Sequence, residues 1–333
     1  MDHAAAMTRA RTPGELVWHY ATLDTLTLIL QSNSLLATEV SFQNDIRETS
    51  TADSAFREAL EAMLGESDDA GFAREALNLL RDIDSGLASS DSMIGELTRD
   101  ARFILCGTDD PDSLYAWRTY AHDGIGCAIG LDPSVALGIV DPSLSSFQRR
   151  IRHWRPVVYE PDETARFARS LLLQLRRRWL EARGRTPTEE SAGGAFGILI
   201  ANLTEARSRV RAIAKDPSFQ DEHEQRVTVE SLTRHAIVTT PSSMGPRPHV
   251  RLVAADHGAW GHAITDAADA PKLPIRAIRL GPNAPDSALT ATKWLLFANG
   301  YDLDPVYIEE HSTATTFATS VVLDTSRHPY RTR

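Results

Sequence analysis

Two acids and a base occupy alternate positions from Glu222 to Arg226, in a run that continues to Val229, and this run constrains the fold more than any other feature of the chain. Its sequence is Glu222-His-Glu224-Gln-Arg226-Val-Thr-Val229. Because successive side chains of a β-strand point to opposite faces, the alternation predicts a strand with Glu222, Glu224 and Arg226 on one face. Three charges along one face are costly to bury unless they pair with each other or line a cleft. This face is therefore the first candidate for a site.

The composition indicates a globular protein that works in a reducing cytoplasm. The chain has 333 residues, of which 42% are hydrophobic and 24% charged, so it is long enough to bury a substantial core. Its net charge of -10 argues against broad attraction to polyphosphate and leaves a local basic patch open. Cys106 and Cys127 are too few for a disulfide framework. We predict no secretory leader, no membrane span and no membrane partner.

Short β-compatible segments are separated by two long helix-favouring segments. The pattern predicts an α+β fold with a mostly antiparallel, split central sheet and helical insertions near residues 52–98 and 162–214. We expect a flexible arm over 1–15, a single domain over 16–318 and a C-terminal tail over 319–333. The predicted strands are 16–20, 35–42, 103–106, 125–131, 157–159, 219–229, 235–239, 249–253, 275–280 and 306–308. Shorter helices are predicted at 23–31, 112–120 and 287–299.

Polar residues follow the first two predicted strands, where ligand groups often converge. His19, Tyr20 and Thr22 end the first strand, and a helix that begins there would favour a phosphate. Helix capping by Thr22 and a hydrogen-bonded core role for His19 explain the same residues. The second strand is followed by groups suited to a ribose or an amide, although turn chemistry accounts for them equally well. These groups belong to Ser41, Phe42, Asn44 and Asp45.

Two aromatic rings and a guanidinium lie close together on the predicted helix 112–120. Trp117, Arg118 and Tyr120 form a combination that can stack a flat ring and neutralise a phosphate. A helix with one core face and one exposed face would produce the same pattern.

Several common catalytic motifs are missing from the sequence. The glycines of the segment 123–130 lack dinucleotide-fingerprint spacing, and that segment continues as a strand instead of opening a helix. His257 and His262 are five residues apart, so one helix face would not present both to a metal ion. We therefore expect no Rossmann site and no catalytic metal.

The order of four motifs resembles the bacterial domain-of-unknown-function 2971 family. Two short closing segments, Ile278-x-Leu280-Gly281-Pro282 and Pro329-Tyr330-Arg331, are also similar to that family. Ala21, Ile46 and Gln225 depart from its usual Thr, Pro and Trp. The four motifs are Trp18-His19-Tyr20, Ser41-Phe42-x-Asn44-Asp45-x-x-Glu48, Trp117-Arg118-x-Tyr120-x-x-x-Gly124-x-Gly126 and Phe219-x-x-Glu222-x-Glu224-x-Arg226.

The motif order is more distantly similar to ADP-ribosyltransferases of the His-Tyr-Glu type and of the DNA-modifying toxin type. That resemblance implies an enzyme that consumes NAD and modifies a nucleic acid or protein acceptor, as a toxin or antiphage effector with an inhibitor protein as a further partner. Glu224 would stabilise the ribosyl cation, Glu222 would bind or deprotonate the acceptor, and His19 would position the ribose. The remaining NAD-binding candidates are Tyr20, Thr22, Ser41, Phe42, Asn44, Asp45, Trp117, Arg118, Tyr120 and Arg226.

Two other functions fit the same residues. A noncatalytic nucleotide- or protein-binding module of a defence or stress system would use the cleft without breaking a bond. A metal-independent nuclease would use His19 and Glu222 as acid and base. Glu222 and Glu224 would also be explained if they pair with Arg226 only to hold strands together. The sequence therefore leaves open whether the chain is an enzyme.

Overall fold

A computed structural model describes ten stretches of the chain, which divide into two compact units. The β-rich unit draws on residues 1–42, 102–155 and 221–333, and the helical unit on residues 43–101 and 156–220. The boundaries predicted for one domain over 16–318 stay a prediction. The described residues are 16–43, 48–85, 101–143, 151–183, 189–230, 233–242, 245–255, 264, 266–303 and 320–329.

Strands and helices occupy the following bounds. The strands are β1 Val17–Ala21, β2 Leu35–Glu39, β3 Phe103–Thr108, β4 Cys127–Leu131, β5 Leu137–Ile139, β6 Ile151–Arg152, β7 Arg155–Pro156, β8 Glu224–Val229, β9 Ile237–Thr240, β10 Arg247–Ala254, β11 Ile275–Leu280, β12 Asp302–Leu303 and β13 Ser320–Thr325. The α-helices are α1 Leu23–Ser32, α2 Glu48–Leu64, α3 Ala70–Asp84, α4 Leu114–Tyr120, α5 Pro161–Arg183, α6 Glu189–Ile213 and α7 Asp286–Ala298.

The sheet of the β-rich unit is open and mostly antiparallel, which confirms the predicted α+β class. Its strand order is β12-β13-β11-β4-β1-β3-β2-β10-β5-β6, with β8 paired to β3 and β9 to β10 beside this path. β13 pairs in parallel with both β11 and β12. Antiparallel pairing joins β1 to β3 and β4, β2 to β3 and β10, β3 to β8, β4 to β11, β5 to β6 and β10, and β9 to β10.

The sheet splits beside β3. β1 pairs with β3 through Trp18 and Thr108, whereas β2 pairs with the opposite end of β3 at Ile104 and Phe103. β8 pairs with β3 along its whole length. β1 and β2, which pair with the same edge of β3, therefore diverge from each other, as expected for the split sheet that the pattern of segments predicted.

Helix α4 covers one face of the sheet next to β1. Trp18 and Tyr20 of β1 pack there with Ala116 and Trp117 of α4. The rings of Tyr20 and Trp117 meet edge to face with centroids 4.7 Å apart, a favourable geometry for two aromatic side chains. Gly130 leaves room for the Trp18 ring, since a Cβ there would come within 3.1 Å of it.

The helical unit has its own apolar core, built by α2, α3, α5 and α6. On α2 the spacing of Phe56, Leu60 and Met63 places all three side chains on one face, and each is fully buried. Phe72 of α3 meets Trp179 of α5 edge to face at 5.7 Å. The two helix-favouring segments of the sequence thus fold against each other.

Three predicted strands differ from the structure, and β13 was not predicted. The strand predicted at 35–42 ends at Glu39 and continues as a 3-10 turn, and the strand at 157–159 is a single bridge from Val158 to Ala214. The strand predicted at 219–229 begins only at Glu224. No element was predicted for the residues of β13, because this short run becomes a strand through parallel pairing with β11 and β12, which lie elsewhere in the chain.

Part of the predicted layout lies outside the described residues. This applies to the arm at 1–15, to residues 86–98 of the first insertion and to the strand at 306–308. Among the described helices, none combines the length and the apolar character needed to cross a membrane.

Candidate functional site

The charged run that opened the sequence analysis is divided between a turn and a strand. Residues Pro217–Glu222 form a 3-10 turn, and His223 has a left-handed backbone with φ of 46°. A left-handed residue interrupts the alternation of an extended chain. The predicted shared strand face is therefore confirmed for Glu224 and Arg226. It is wrong for Glu222, which lies in the turn before the strand.

Glu224 and Arg226 form a buried, two-pronged ion pair. Arg226 Nε lies 2.7 Å from Glu224 Oε1, and Arg226 Nη2 lies 3.0 Å from Glu224 Oε2. The two side chains are only 4% and 2% exposed, respectively. Each charge compensates the other inside the protein, and removing one partner of such a pair typically costs about 3–5 kcal/mol of stability. Glu224, the predicted catalytic carboxylate, is therefore part of an ion pair that stabilises the sheet.

Glu222 lies outside the strand and meets two tyrosines of α4. Its Oε1 accepts hydrogen bonds from the hydroxyls of Tyr115 at 3.1 Å and Tyr120 at 2.8 Å. The two rings pack edge to face with centroids 6.3 Å apart, and they are 40% and 39% exposed. The result is a carboxylate held between two accessible aromatic rings, which we call the Tyr-Glu cluster (Tyr115, Tyr120 and Glu222).

The Tyr120 hydroxyl remains protonated at neutral pH. Burial raises the pKa of Tyr120, and the negative charge of Glu222 raises it further. A protonated hydroxyl can donate its hydrogen bond to the carboxylate throughout the working pH range. The orientation of Glu222 is therefore fixed by a neutral donor.

A histidine and an aspartate flank the Tyr-Glu cluster. His223 Nδ1 lies 3.6 Å from Asp109 Oδ1, and the Asp109 amide donates to the His223 carbonyl at 3.3 Å. Both side chains are exposed. The contact anchors the left-handed residue that turns Glu222 out of the strand.

His19 lies on the opposite face of the sheet from Glu224. Residues directly opposite in an antiparallel ladder share a face, so Glu224, Thr108 and Trp18 point to the same side. His19 follows Trp18 in an extended strand and points to the other side. The predicted partnership of His19 with the late acids is not formed in this arrangement.

The imidazole of His19 helps to join β1 and β3 where they part. Nδ1 lies 2.8 Å from the carbonyl oxygen of Cys106. Because a carbonyl oxygen only accepts, the proton sits on Nδ1. Burial lowers the pKa of His19, and the hydrogen bond to Cys106 offsets part of that effect, so the ring is neutral at pH 7.

Three further predicted binding residues have structural roles. The Tyr20 hydroxyl donates to the Asp110 carbonyl at 3.0 Å and accepts from the Ser113 amide at 2.9 Å. Thr22 caps α1, with its side chain accepting from the Thr25 amide. Trp117 is fully buried. Thr22 is therefore a helix-capping residue, and Tyr20 and Trp117 belong to the buried core.

Other predicted residues lie elsewhere in the β-rich unit or outside the described stretches. Ser41 is exposed and contacts the carboxylate of Glu39, while the carbonyl oxygen of Phe42 accepts from Arg247 Nη2 at 2.9 Å. Arg118 is exposed on α4. The positions Asn44 and Asp45 fall in the range 44–47, which the structure does not describe.

Sequence reasoning missed Tyr115, Asp109 and His223. Tyr115 lies five residues before Tyr120 on one short helix, a spacing that does not by itself place two side chains on one helix face. No local pattern connects His223 with Asp109, since their contact depends on the pairing of β3 with β8. Within the described ranges, His, Cys, Asp and Glu side chains form no group of three or more that would hold a metal ion.

Comparison with known families supports the resemblance drawn from the motifs. A family model described as "Protein of unknown function (DUF2971)" matches residues 116–227. The matched region contains Trp117, Tyr120, Glu222 and Glu224, and it confirms the predicted family resemblance. Neither the curated proteins nor the solved structures gave a match.

Proposed function

We propose that this chain, with its DUF2971 match, is an NAD-consuming ADP-ribosyltransferase whose reacting carboxylate is Glu222. One observation carries the proposal: Glu222 Oε1 accepts hydrogen bonds from Tyr115 and Tyr120 beside two accessible rings. A fixed carboxylate can stabilise positive charge on a nicotinamide riboside, and the adjacent aromatic faces can stack on its flat ring. In this proposal Glu222 stabilises the ribosyl cation, the role that the sequence analysis expected for Glu224.

The proposed reaction exchanges one bond at the ribose C1′ atom for another. The C1′–N bond to nicotinamide breaks, and nicotinamide leaves with the bonding electron pair. A nucleophile of the acceptor then bonds to C1′ and gives its proton to Glu222 or to water. The positive charge that develops on the ribose is stabilised by the nearby carboxylate, as in glycoside hydrolysis.

The two tyrosines would bind the leaving group and hold the carboxylate. Their half-exposed rings offer a π-face for the pyridinium ring of NAD, which carries a positive charge. Their hydroxyls bond Oε1 of Glu222. In the proposal the same carboxylate also accepts from a ribose hydroxyl, since each carboxylate oxygen can accept more than one hydrogen bond. In the proposal the acceptor is a protein or a nucleic acid, and the biological role is that of a toxin or antiphage effector.

A charge-removing substitution tests the proposal. Glu222→Gln keeps the shape of the side chain, and we expect nicotinamide release from NAD, measured with candidate acceptors present, to fall about 10²-fold or more. Glu205→Gln removes an exposed carboxylate from α6 and serves as the matched control, with an unchanged rate expected. Equal release by wild type and Glu222→Gln would exclude Glu222 from the reaction.

A noncatalytic nucleotide-binding module is the second candidate. It is favoured by the contacts of the other two predicted catalytic residues, because Glu224 is paired with Arg226 and His19 with a backbone carbonyl. Saturable binding of NAD by the wild-type chain without nicotinamide release would support this module. Turnover that depends on Glu222 would exclude it. The nuclease reading has less support, since it needs His19 and Glu222 to act on one substrate.

A further inference from the structure

The loop between β3 and α4, residues 109–113, contacts the Tyr-Glu cluster in two ways. It leads directly into the helix that carries both tyrosines of the cluster. The amide of its first residue, Asp109, donates to the carbonyl of His223, which follows Glu222 in the chain, at 3.3 Å. The position of this loop therefore influences where the tyrosine hydroxyls meet the carboxylate.

Within this loop, Asp112 holds α4 through the indole of Trp117. Trp117 Nε1 donates to Asp112 Oδ1 at 2.8 Å, and the indole is fully buried. Trp117 lies between Tyr115 and Tyr120 on the helix, so a bond that fixes its ring also limits rotation of the helix about its axis. Ser113 caps the same helix, with its side chain accepting from a backbone amide of the first turn. The orientation of both tyrosines therefore depends on this loop.

Residues that follow β13 also bind Asp112. The amide of Arg327 donates to Asp112 Oδ2 at 3.4 Å, and Nε2 of His328 donates to the Asp112 carbonyl. Ser326 hydrogen-bonds the Asp112 carboxylate. Burial acts to raise the pKa of Asp112, but the hydrogen bonds from Ser326 and Trp117 outweigh it, so the pKa lies below its usual value. A charged carboxylate therefore connects the C-terminal segment with α4 at neutral pH.

Arg279 of β11 forms a second connection between the same segment and the loop. Its Nε and Nη2 atoms donate to the two carboxylate oxygens of Asp324 on β13, at 3.0 and 2.7 Å. Its Nη1 atom donates to the Pro111 carbonyl at 3.3 Å. The Arg279 side chain is 17% exposed, and a two-pronged contact with a carboxylate fixes a guanidinium in one orientation. The end of β13 and the residues after it thus hold the loop 109–113 at two points.

We propose that residues 324–328, which we call the strap, hold the Tyr-Glu cluster in its reactive geometry, with Asp112 as the positioning residue through which they act. This inference rests on the proposed function, in which Glu222 is the reacting carboxylate. Asp112 does not touch NAD in this scheme, and it acts by fixing the helix whose hydroxyls orient Glu222. The effect on rate can be large, because a misplacement of about 1 Å can cost on the order of 10²-fold.

Nicotinamide release by variants of the full chain tests the positioning role. Asp112→Ala removes the acceptor of Trp117, and we expect kcat to fall about tenfold or more while KM for NAD changes less than about threefold. Asp112→Asn keeps an oxygen that can accept from Trp117 and should restore most of the rate. Asp141→Ala is the matched control, because it removes another buried carboxylate of the β-rich unit, one that accepts from Ser143 and Thr233. It should lower stability and leave kcat unchanged.

A double substitution separates positioning from a general loss of structure. If Asp112 acts through Glu222, Asp112→Ala should lower kcat in the wild-type background and leave the residual rate of Glu222→Gln unchanged. The proposal is overturned if Asp112→Ala lowers the rate equally in both backgrounds. It is equally overturned if Asp112→Ala retains the wild-type kcat, or if Asp141→Ala loses as much of it.

Hydrogen exchange of the α4 amides tests the strap without any turnover. We expect faster exchange over residues 114–120 in Asp112→Ala than in Asp141→Ala, since the contacts that hold α4 are lost. His328→Ala removes one contact of the strap from a partly exposed position and serves if Asp112→Ala fails to fold. Unchanged α4 exchange in both strap variants would overturn the proposal. If the wild type releases no nicotinamide, the proposed function fails, whereas faster α4 exchange would still support the strap.

Discussion

Single residues show how one backbone angle changes the role of a side chain. Glu222 and Glu224 are two positions apart, and an unbroken strand would place them on one face. The left-handed backbone of His223 separates them, so that Glu224 is buried with Arg226 and Glu222 contacts two tyrosines. The sequence identified both acids, but it could not assign them because the deciding contacts come from β3 and α4.

Two histidines make the stability of the fold depend on pH. Burial lowers the pKa of His19 and of His249, and the charge of Arg247 lowers that of His249 further. His249 bonds Thr38 Oγ1 at 3.1 Å and Thr240 Oγ1 at 2.8 Å. Below the ordinary value of 6.5, the unfolded chain binds more protons at these positions than the folded chain. We therefore expect the free energy of unfolding to fall as the pH drops below about 6.5.

Urea unfolding at a series of pH values measures this effect. His19→Gln and His249→Gln should each flatten the dependence of the free energy of unfolding on pH below 6.5, because each removes one site of differential proton uptake. The same substitution at the exposed His153 controls for the loss of an imidazole as such. An unchanged slope in both test variants would contradict the assignment.

At the scale of elements, backbone hydrogen bonds join two glycine-containing segments beside the sheet. The Gly124 carbonyl accepts from the Asn283 amide, and the Gly126 carbonyl accepts from the Gly281 amide, both at 2.9 Å. A Cβ on Gly281 would overlap the Gly124 carbonyl. The Gly124-x-Gly126 and Gly281-Pro282 motifs noted in the sequence thus join the start of β4 to the end of β11.

Gly126→Ala tests this close approach. The new methyl group would overlap the carbonyl oxygen of Ala21 at the end of β1. Since backbone atoms cannot move aside cheaply, we expect a loss of roughly 1–3 kcal/mol or more in the free energy of unfolding. Gly71→Ala is the matched control, because nothing lies within 4 Å of its Cβ position in α3. In a helix that change should raise stability by up to about 1 kcal/mol. Equal stabilities for the two variants would contradict the packing argument.

For the whole molecule, net charge limits the partners that bind without specific contacts. The chain carries 35 basic and 45 acidic residues, giving a formal charge of -10. Such a balance opposes nonspecific association with a polyanion, so a nucleic acid acceptor would need local recognition.

Fluorescence anisotropy with duplex DNA of arbitrary sequence measures the affinity of this nonspecific association. We expect binding weaker than about 10⁻⁴ M at physiological salt, the weak end of the range for nonspecific DNA-binding proteins. A micromolar affinity that weakens steeply as salt is added would show that a basic surface outweighs the net charge.

The sequence by itself determined the class of fold, the two helical segments and the shared face of Glu224 and Arg226. These follow from periodicities of 3.6 and 2.0 residues, which are local properties of helices and strands. The tertiary structure alone decided that His19 faces away from the late acids, that β13 forms, and that Tyr115 and Tyr120 hold Glu222. Each of these depends on pairing or packing between residues far apart in the chain, and such contacts leave no periodic signal in the sequence.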